Sequence, residues 1–190
     1  MILIGDTHGK LKKYQELTLK YDKTIALGDM GFAWEYNWIN QYINPVNHKI
    51  LQGNHDDYMS SIPHILGDFG IYNDDLFFVR GAYSIDKHHR LEGRDWFREE
   101  ELSYSQGIQC IELYESIKPS IVISHDCPQI VRENLFYIWD KSITSNILQQ
   151  MLDIHKPDLW IFGHHHTSID YKLDKTLFKC LKELETFKLD

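Results

Sequence analysis

The chain alternates short, mainly apolar runs with longer mixed stretches. Residues 1–5 (MILIG) are apolar up to a glycine, and the same form recurs at 23–29 (KTIALGD), 48–53 (HKILQG), 120–124 (SIVIS) and 159–163 (LWIFG). Short apolar runs bounded by turn residues read as buried strands. Between them, residues 10–20, 35–43, 106–117 and 142–155 have helical character. This alternation predicts a sheet covered by helices. Residues 69–87 carry two β-rich runs around Asn73, Asp74 and Asp75 and predict a hairpin. The tail from Ile169 to Phe187 predicts a strand pair, although its Lys and Glu residues also permit a helix near the end. Residues 130–141, rich in large side chains, show no readable period. There is no internal repeat or linker, and 190 residues suit one domain spanning 1–190.

Composition adds bounds rather than identity. Hydrophobic residues at 43% and charged residues at 25% are ordinary for a soluble globular protein. A net charge of -8 argues against a basic face for long nucleic acid. It leaves room for a small anionic substrate, because bound cations reverse the sign locally. Cys110, Cys127 and Cys180 are far apart and form no C-x-x-C pair, so neither a zinc knuckle nor a disulfide framework is expected. Reduced thiols, no basic-then-apolar leader and no apolar run near ~20 residues make a cytoplasmic protein without membrane contact the expectation.

The chemistry lies just after the apolar runs. Five polar clusters follow them: Gly5-Asp6-Thr7-His8-Gly9, Gly28-Asp29-Met30-Gly31, Gly53-Asn54-His55-Asp56, Ser124-His125-Asp126 and Gly163-His164-His165-His166. In open α/β sheets ligands gather beyond the carboxyl ends of strands, so clusters distant in sequence can converge. Asp6, His8, Asp29, Asn54, His125, His164 and His166 offer oxygen and imidazole donors without a thiolate. That set suits divalent transition metals such as Mn, Fe, Co or Zn. It exceeds the about four ligands of one tetrahedral zinc and suffices for two ions if one carboxylate bridges. Taken singly, each cluster has a bland explanation as a turn or a surface histidine. Their joint occurrence, each behind an apolar run, points to a site.

Those five clusters resemble the calcineurin-like metallophosphoesterase superfamily, whose pattern is D-x-H, G-D, G-N-H-D/E, a single His, then G-H-x-H. GDTHG, GDMG, GNHDD, SHD and GHHH stand here in that order from Asp6 to His166. The segment from Gly81 to Arg90, with Trp96 and Glu99 to Glu101, is further similar to a subset of small bacterial and phage members. The resemblance implies an α/β fold, a four-layer α/β/β/α sandwich with two mixed β-sheets. It implies one metal on Asp6, His8, Asp29 and His166 and a second on Asp29, Asn54, His125 and His164, with Asp29 bridging. The ions would be manganese first, with iron, zinc, cobalt or nickel as alternatives. His165 becomes a spacer, and His55 a catalytic non-ligand near the leaving group.

From these assignments follows hydrolysis of a phosphodiester or phosphomonoester of a small molecule or nucleotide, by direct attack of a metal-bridging hydroxide. Asp56, next to His55, is the candidate carboxylate orienting it. Lys87, Arg90 and Arg94 are candidate phosphate contacts, against the alternative of a solvated loop. Trp34, Trp38 and Trp96 can stack on a base or sugar, but burial is the first expectation for each. Cys127 lacks an activating base and is no nucleophile. The protein phosphatase branch carries G-D-x-x-D-R-G at the second motif, whereas this chain reads Gly28-Asp29-Met30-Gly31-Phe32-Ala33. The alternatives are therefore a phosphoprotein phosphatase, disfavoured by that departure, and an inactive metal-binding scaffold, disfavoured by the complete ligand set.

Overall fold

The first three apolar runs pair with one another and not with the later ones. In the computed structural model, which describes residues 1–73 and 76–189, strands β1 (Ile2–Ile4), β2 (Thr24–Ala26) and β3 (His48–Ile50) lie parallel, with helices α1 (Leu11–Lys20) and α2 (Ala33–Tyr42) as crossovers. Strand β10 (Thr186–Lys188) closes the far edge antiparallel to β1, giving the order β10-β1-β2-β3. A second sheet has the order β4-β5-β6-β7-β9-β8. Its strands are β4 (Phe69–Tyr72), β5 (Leu76–Val79), β6 (Ile121–Ser124), β7 (Leu159–Phe162), β8 (Ile169–Leu173) and β9 (Thr176–Cys180). Strands β5, β6, β7 and β9 are parallel, while β4 and β8 are antiparallel edges.

Successive strand residues face opposite sides, and here both sides are apolar, so each sheet is buried twice. Leu3, Ile25, Phe78, Ile123 and Ile161 fill the space between the sheets. Their neighbours Ile4, Ala26 and Ile50 pack outward on α1 and α2. Phe77, Val79, Val122, Trp160 and Phe162 pack the other way, with residues of α3 (Tyr104–Ile117), α4 (Gln129–Phe136) and α5 (Ile143–Ile154). The result is the expected four-layer sandwich with two mixed sheets. Among the described residues, no helix is long and apolar enough to cross a membrane.

Several sequence expectations are adjusted. The ladder of β2 ends at Ala26, because Gly28 and Asp29 turn to φ +121° and +53°. The hairpin forms as β4 and β5, but Asp74 and Asp75 at its turn lie outside the described residues. Residues 80–87 leave the sheet at Gly81 (φ +87°), and only single helical turns at 87–89 and 98–100 punctuate the segment before α3. The unreadable stretch after residue 129 is helix α4, which starts after Pro128 and stops at Tyr137 in the left-handed region. The tail holds three strands and no helix among the described residues. Lys172 and Lys188 are exposed on the edge strands β8 and β10, where charge is a normal guard against further pairing, and Lys182, Glu183 and Glu185 lie in the turn between β9 and β10.

Candidate metal centre

All five polar clusters lie at the carboxyl ends of β1, β2, β3, β6 and β7. Cross-links between the loops set their relative positions. His8 and Gly9 N–H groups donate to the Asp29 and Met30 carbonyls, at 2.6 and 3.1 Å, and Gly163 N–H donates to the His125 carbonyl at 3.0 Å. His164 N–H donates to the Asp6 carboxylate at 2.9 Å. A Cβ at Gly163 would run into that carboxylate, and one at Gly53 into both Asp29 and the His125 ring. His8, Asp29, His164 and His166 sit at φ +45°, +53°, +65° and +52°. Left-handed backbone costs a non-glycine residue about 1–2 kcal/mol, and four such residues in one cluster mark a functional constraint.

The expected ligands meet in two overlapping groups. One donor atom each from Asp6, His8, Asp29 and His166 lies within 4.8 Å of the others, as do donors from Asp29, His125 and His164. Asp29 belongs to both. Asn54 joins the second, its Oδ1 3.1 Å from His125 Nε2.

The donor set fits cations. His125 Nδ1 donates to the Leu27 carbonyl at 2.6 Å, which leaves Nε2 facing Asn54 Oδ1 and Asp29 Oδ1, the latter at 3.2 Å. In that tautomer three lone pairs converge, an arrangement that needs a positive charge among them. Burial works against charging the ring, yet the Asp29 and Asp6 carboxylates pull the His125 pKa up to about 10. The imidazole nitrogens of His8 and His166 meet at 2.7 Å beside Asp6 Oδ2 and Asp29 Oδ2. Asp29 Oδ2 is buried without a hydrogen-bond partner. A bare carboxylate oxygen next to two imidazoles is costly in the protein alone and is satisfied by a bound cation.

Around these donors lies a layer the sequence did not reveal. The Asn54 amide donates to Ser84 Oγ at 3.0 Å, and Ser84 donates to the buried Glu100 at 2.6 Å. This chain turns Asn54 Oδ1 toward His125. On the opposite side, His165 Nε2 lies 3.2 Å from Asp126, and its ring stacks on Phe136 at 3.7 Å. Buried Arg132 sits 3.5 Å from Asp126 and is held by both oxygens of Asp140, at 2.6 and 2.8 Å. The spacer His165 thus ties the loop carrying His164 and His166 to the loop carrying His125. Ser84, Glu100 and Arg132 precede or follow no apolar run that would flag them. Cys127 is buried here too. Burial, then the Asp126 charge, push its thiol well above the ordinary range, as expected of an inert cysteine.

Asp56 is a correction. Expected to orient His55, its carboxylate instead accepts N–H bonds from Asp29, Met30, Gly31 and Gly53, at 2.8, 2.6, 3.2 and 2.6 Å. Both oxygens are engaged, so Asp56 braces the second and third loops and has none left for the imidazole. The partner of His55 is Arg90, whose Nη2 lies 3.5 Å from His55 Nε2. Burial first, and the Arg90 charge among other causes, lower the His55 pKa against the pull of Asp29. Asp86 grips Arg90 with both oxygens, at 2.9 and 2.7 Å. Of the other candidate contacts, Lys87 rests its amine over the Tyr83 and Trp96 rings, at 4.3 and 5.8 Å, and Arg94 is exposed on a neighbouring groove.

Residues 1–168 match the sequence model of a family described as calcineurin-like phosphoesterase. No curated protein matches the chain significantly. Among solved structures, a phosphopantetheinyl hydrolase from Mycobacterium tuberculosis superposes with a TM-score of 0.59 at 10% identity, covering 95% of this chain and 89% of its own. A Staphylococcus aureus protein provisionally assigned as a 5′-nucleotidase, in complex with alpha-ketoglutarate, gives 0.53 at 14% identity, covering 100% of this chain and 50% of its own. Identities this low carry the fold and not the substrate.

Proposed function

The chain belongs to the calcineurin-like phosphoesterase family, and from that premise we propose that it is a dinuclear-metal-dependent hydrolase of a small phosphodiester or phosphomonoester, nucleotides included. The observation that carries this reading is the convergence of the expected donors around the unpartnered Asp29 Oδ2. Asp6, His8, Asp29 and His166 would hold one divalent cation and Asp29, Asn54, His125 and His164 the other, manganese being the first choice. Such a pair, when bound, withdraws charge from a phosphate and makes a water acidic enough to supply the nucleophile near neutral pH.

The chain's own groups do the rest. His55 faces the same space from the third loop, its ring 5.9 Å from that of His8. It donates a hydrogen bond toward the leaving oxygen. Burial and the Arg90 charge lower its pKa and so disfavour its protonated form, and Arg90 brings a fixed positive charge beside it. Asp86 and the Asp95 carbonyl, 3.1 Å from Arg90 Nη1, hold that guanidinium in place. Strands β8 to β10 complete both sheets, so the reading takes residues 1–190 as one catalytic domain.

The test is a substrate panel with the Mn-loaded protein: bis(p-nitrophenyl) phosphate, p-nitrophenyl phosphate, cyclic and linear nucleotides, and a phosphopeptide. Turnover of the small esters is expected. Exclusive turnover of the phosphopeptide would replace this reading with a protein phosphatase.

A further inference from the structure

The ligand cluster, His55 and Arg90 account for neither the exposed indole of Trp34 nor the free guanidinium of Arg94. Trp34 was expected to be buried, yet it is 65% exposed at the first turn of α2. A groove of about 640 Å³ lies against it, lined also by Phe32, Met59, Arg94 and Phe97. This groove borders the His55 side of the centre. Phe32 follows Asp29 by three residues and Asp57, also on the groove, follows His55 by two. The carbonyl of Asp95, which also lines the groove, accepts from Arg90, and Arg90 touches His55.

The charges on the groove are unequal in freedom. Arg80, Arg90, Arg98 and Arg132 each pair with a carboxylate. Arg94, the remaining one of the chain's five arginines, has no side-chain hydrogen bond or ion pair among the described residues. The acids Glu35, Asp57 and Asp95 are turned to the chain itself, accepting from Phe32, Met59 and Leu91 N–H groups. What the groove offers a ligand is thus an indole face and one unengaged guanidinium. Indole faces stack on nucleobases, and guanidinium groups bind phosphate by paired hydrogen bonds.

We propose that this groove binds the leaving group of the substrate and that the leaving group is a nucleotide, its base on Trp34 and its own phosphate on Arg94. The substrate then carries at least one further phosphate, the scissile one, at the Asp29 cluster. Hydrolysis forms a P–O bond from water, breaks the P–O bond to the nucleotide and leaves the nucleotide oxygen protonated. The substrate class rests on the phosphoesterase reading; the groove as a nucleotide site does not.

Binding of adenosine 5′-monophosphate to the chelator-treated full chain separates the groove from the metal ligands. Quenching of tryptophan fluorescence and titration calorimetry follow it. The parent should bind. Trp34→Ala should weaken binding about tenfold, and Trp34→Phe should retain most of it. Arg94→Ala should weaken the nucleotide but not adenosine. No binding by the parent, or equal binding by Trp34→Ala, overturns the proposal. So does dimerisation that Trp34→Ala abolishes while nucleotide affinity stays unchanged, which would assign the indole to contact between copies. Both positions are exposed, and circular dichroism confirms that each variant is folded. Turnover of bis(p-nitrophenyl) phosphate without nucleotide binding removes the groove assignment alone. Nucleotide binding without turnover of any phosphate ester removes the hydrolase reading alone.

Discussion

At the scale of single residues, the centre is a set of side chains whose own hydrogen bonds decide which atom faces inward. His125 is fixed by Leu27, Asn54 by Ser84 and Glu100, and Arg90 by Asp86. The two most informative substitutions separate binding from chemistry. Asp29→Asn removes the charge shared by both ligand groups, so metal analysis after dialysis should find both ions depleted; full occupancy would deny Asp29 a bridging role. His55→Ala removes the proposed leaving-group donor, which stands outside both ligand groups. The turnover number should fall ~10²–10⁴-fold while metal content stays at the parent level, and an unchanged rate would take His55 out of the mechanism. The seven candidate donors could be picked out in the sequence because each stands within a few residues of the end of an apolar run. Asp56 was misread because adjacency in sequence does not set where a side chain points; four backbone N–H groups claim its carboxylate.

At the scale of elements, strands deliver the donors and helices lock the loops that bear them. Helix α4 carries the buried Arg132 under the loops holding His125 and His164 to His166. Its guanidinium neutralises Asp126, which burial opposes and the His165 bond and the Arg132 charge favour, leaving that carboxyl below the usual range. Arg132→Met would strand Asp126 in the interior. Removing one member of a buried pair costs about 3–5 kcal/mol, so the urea midpoint should drop markedly; a midpoint within error of the parent would mean that water or another cation replaces the arginine. This helix was not legible in the sequence. Its large side chains face a sheet, a helix and solvent in succession, so no single period emerges.

At the scale of the whole molecule, two sheets buried on both faces leave some histidines outside the ligand set in buried surroundings. His48 lies in β3 and His64 beneath it, His64 bonded to the Ile43 carbonyl at 3.1 Å. Burial lowers both pKa values. Below the ordinary value of ~6.5 the unfolded chain takes up protons that these rings refuse in the native state. Stability should therefore fall as pH drops from ~7 toward 5. Comparing unfolding of the parent and His64→Gln over that range, both with chelator, isolates the contribution. The variant should show the shallower slope, and parallel profiles would assign the pH dependence to other groups.

The sequence by itself determined the strands, most of the helices, the family and the residues that can donate to metal, because these depend on short-range patterns of apolar runs and polar stops. Tertiary structure alone decided that Asp56 is a brace and Arg90 the neighbour of His55, and that Trp34 and Arg94 border one groove. Those relations join segments tens of residues apart whose approach is fixed by sheet order and loop cross-links. No local pattern encodes a distance between side chains that meet only when two sheets stack.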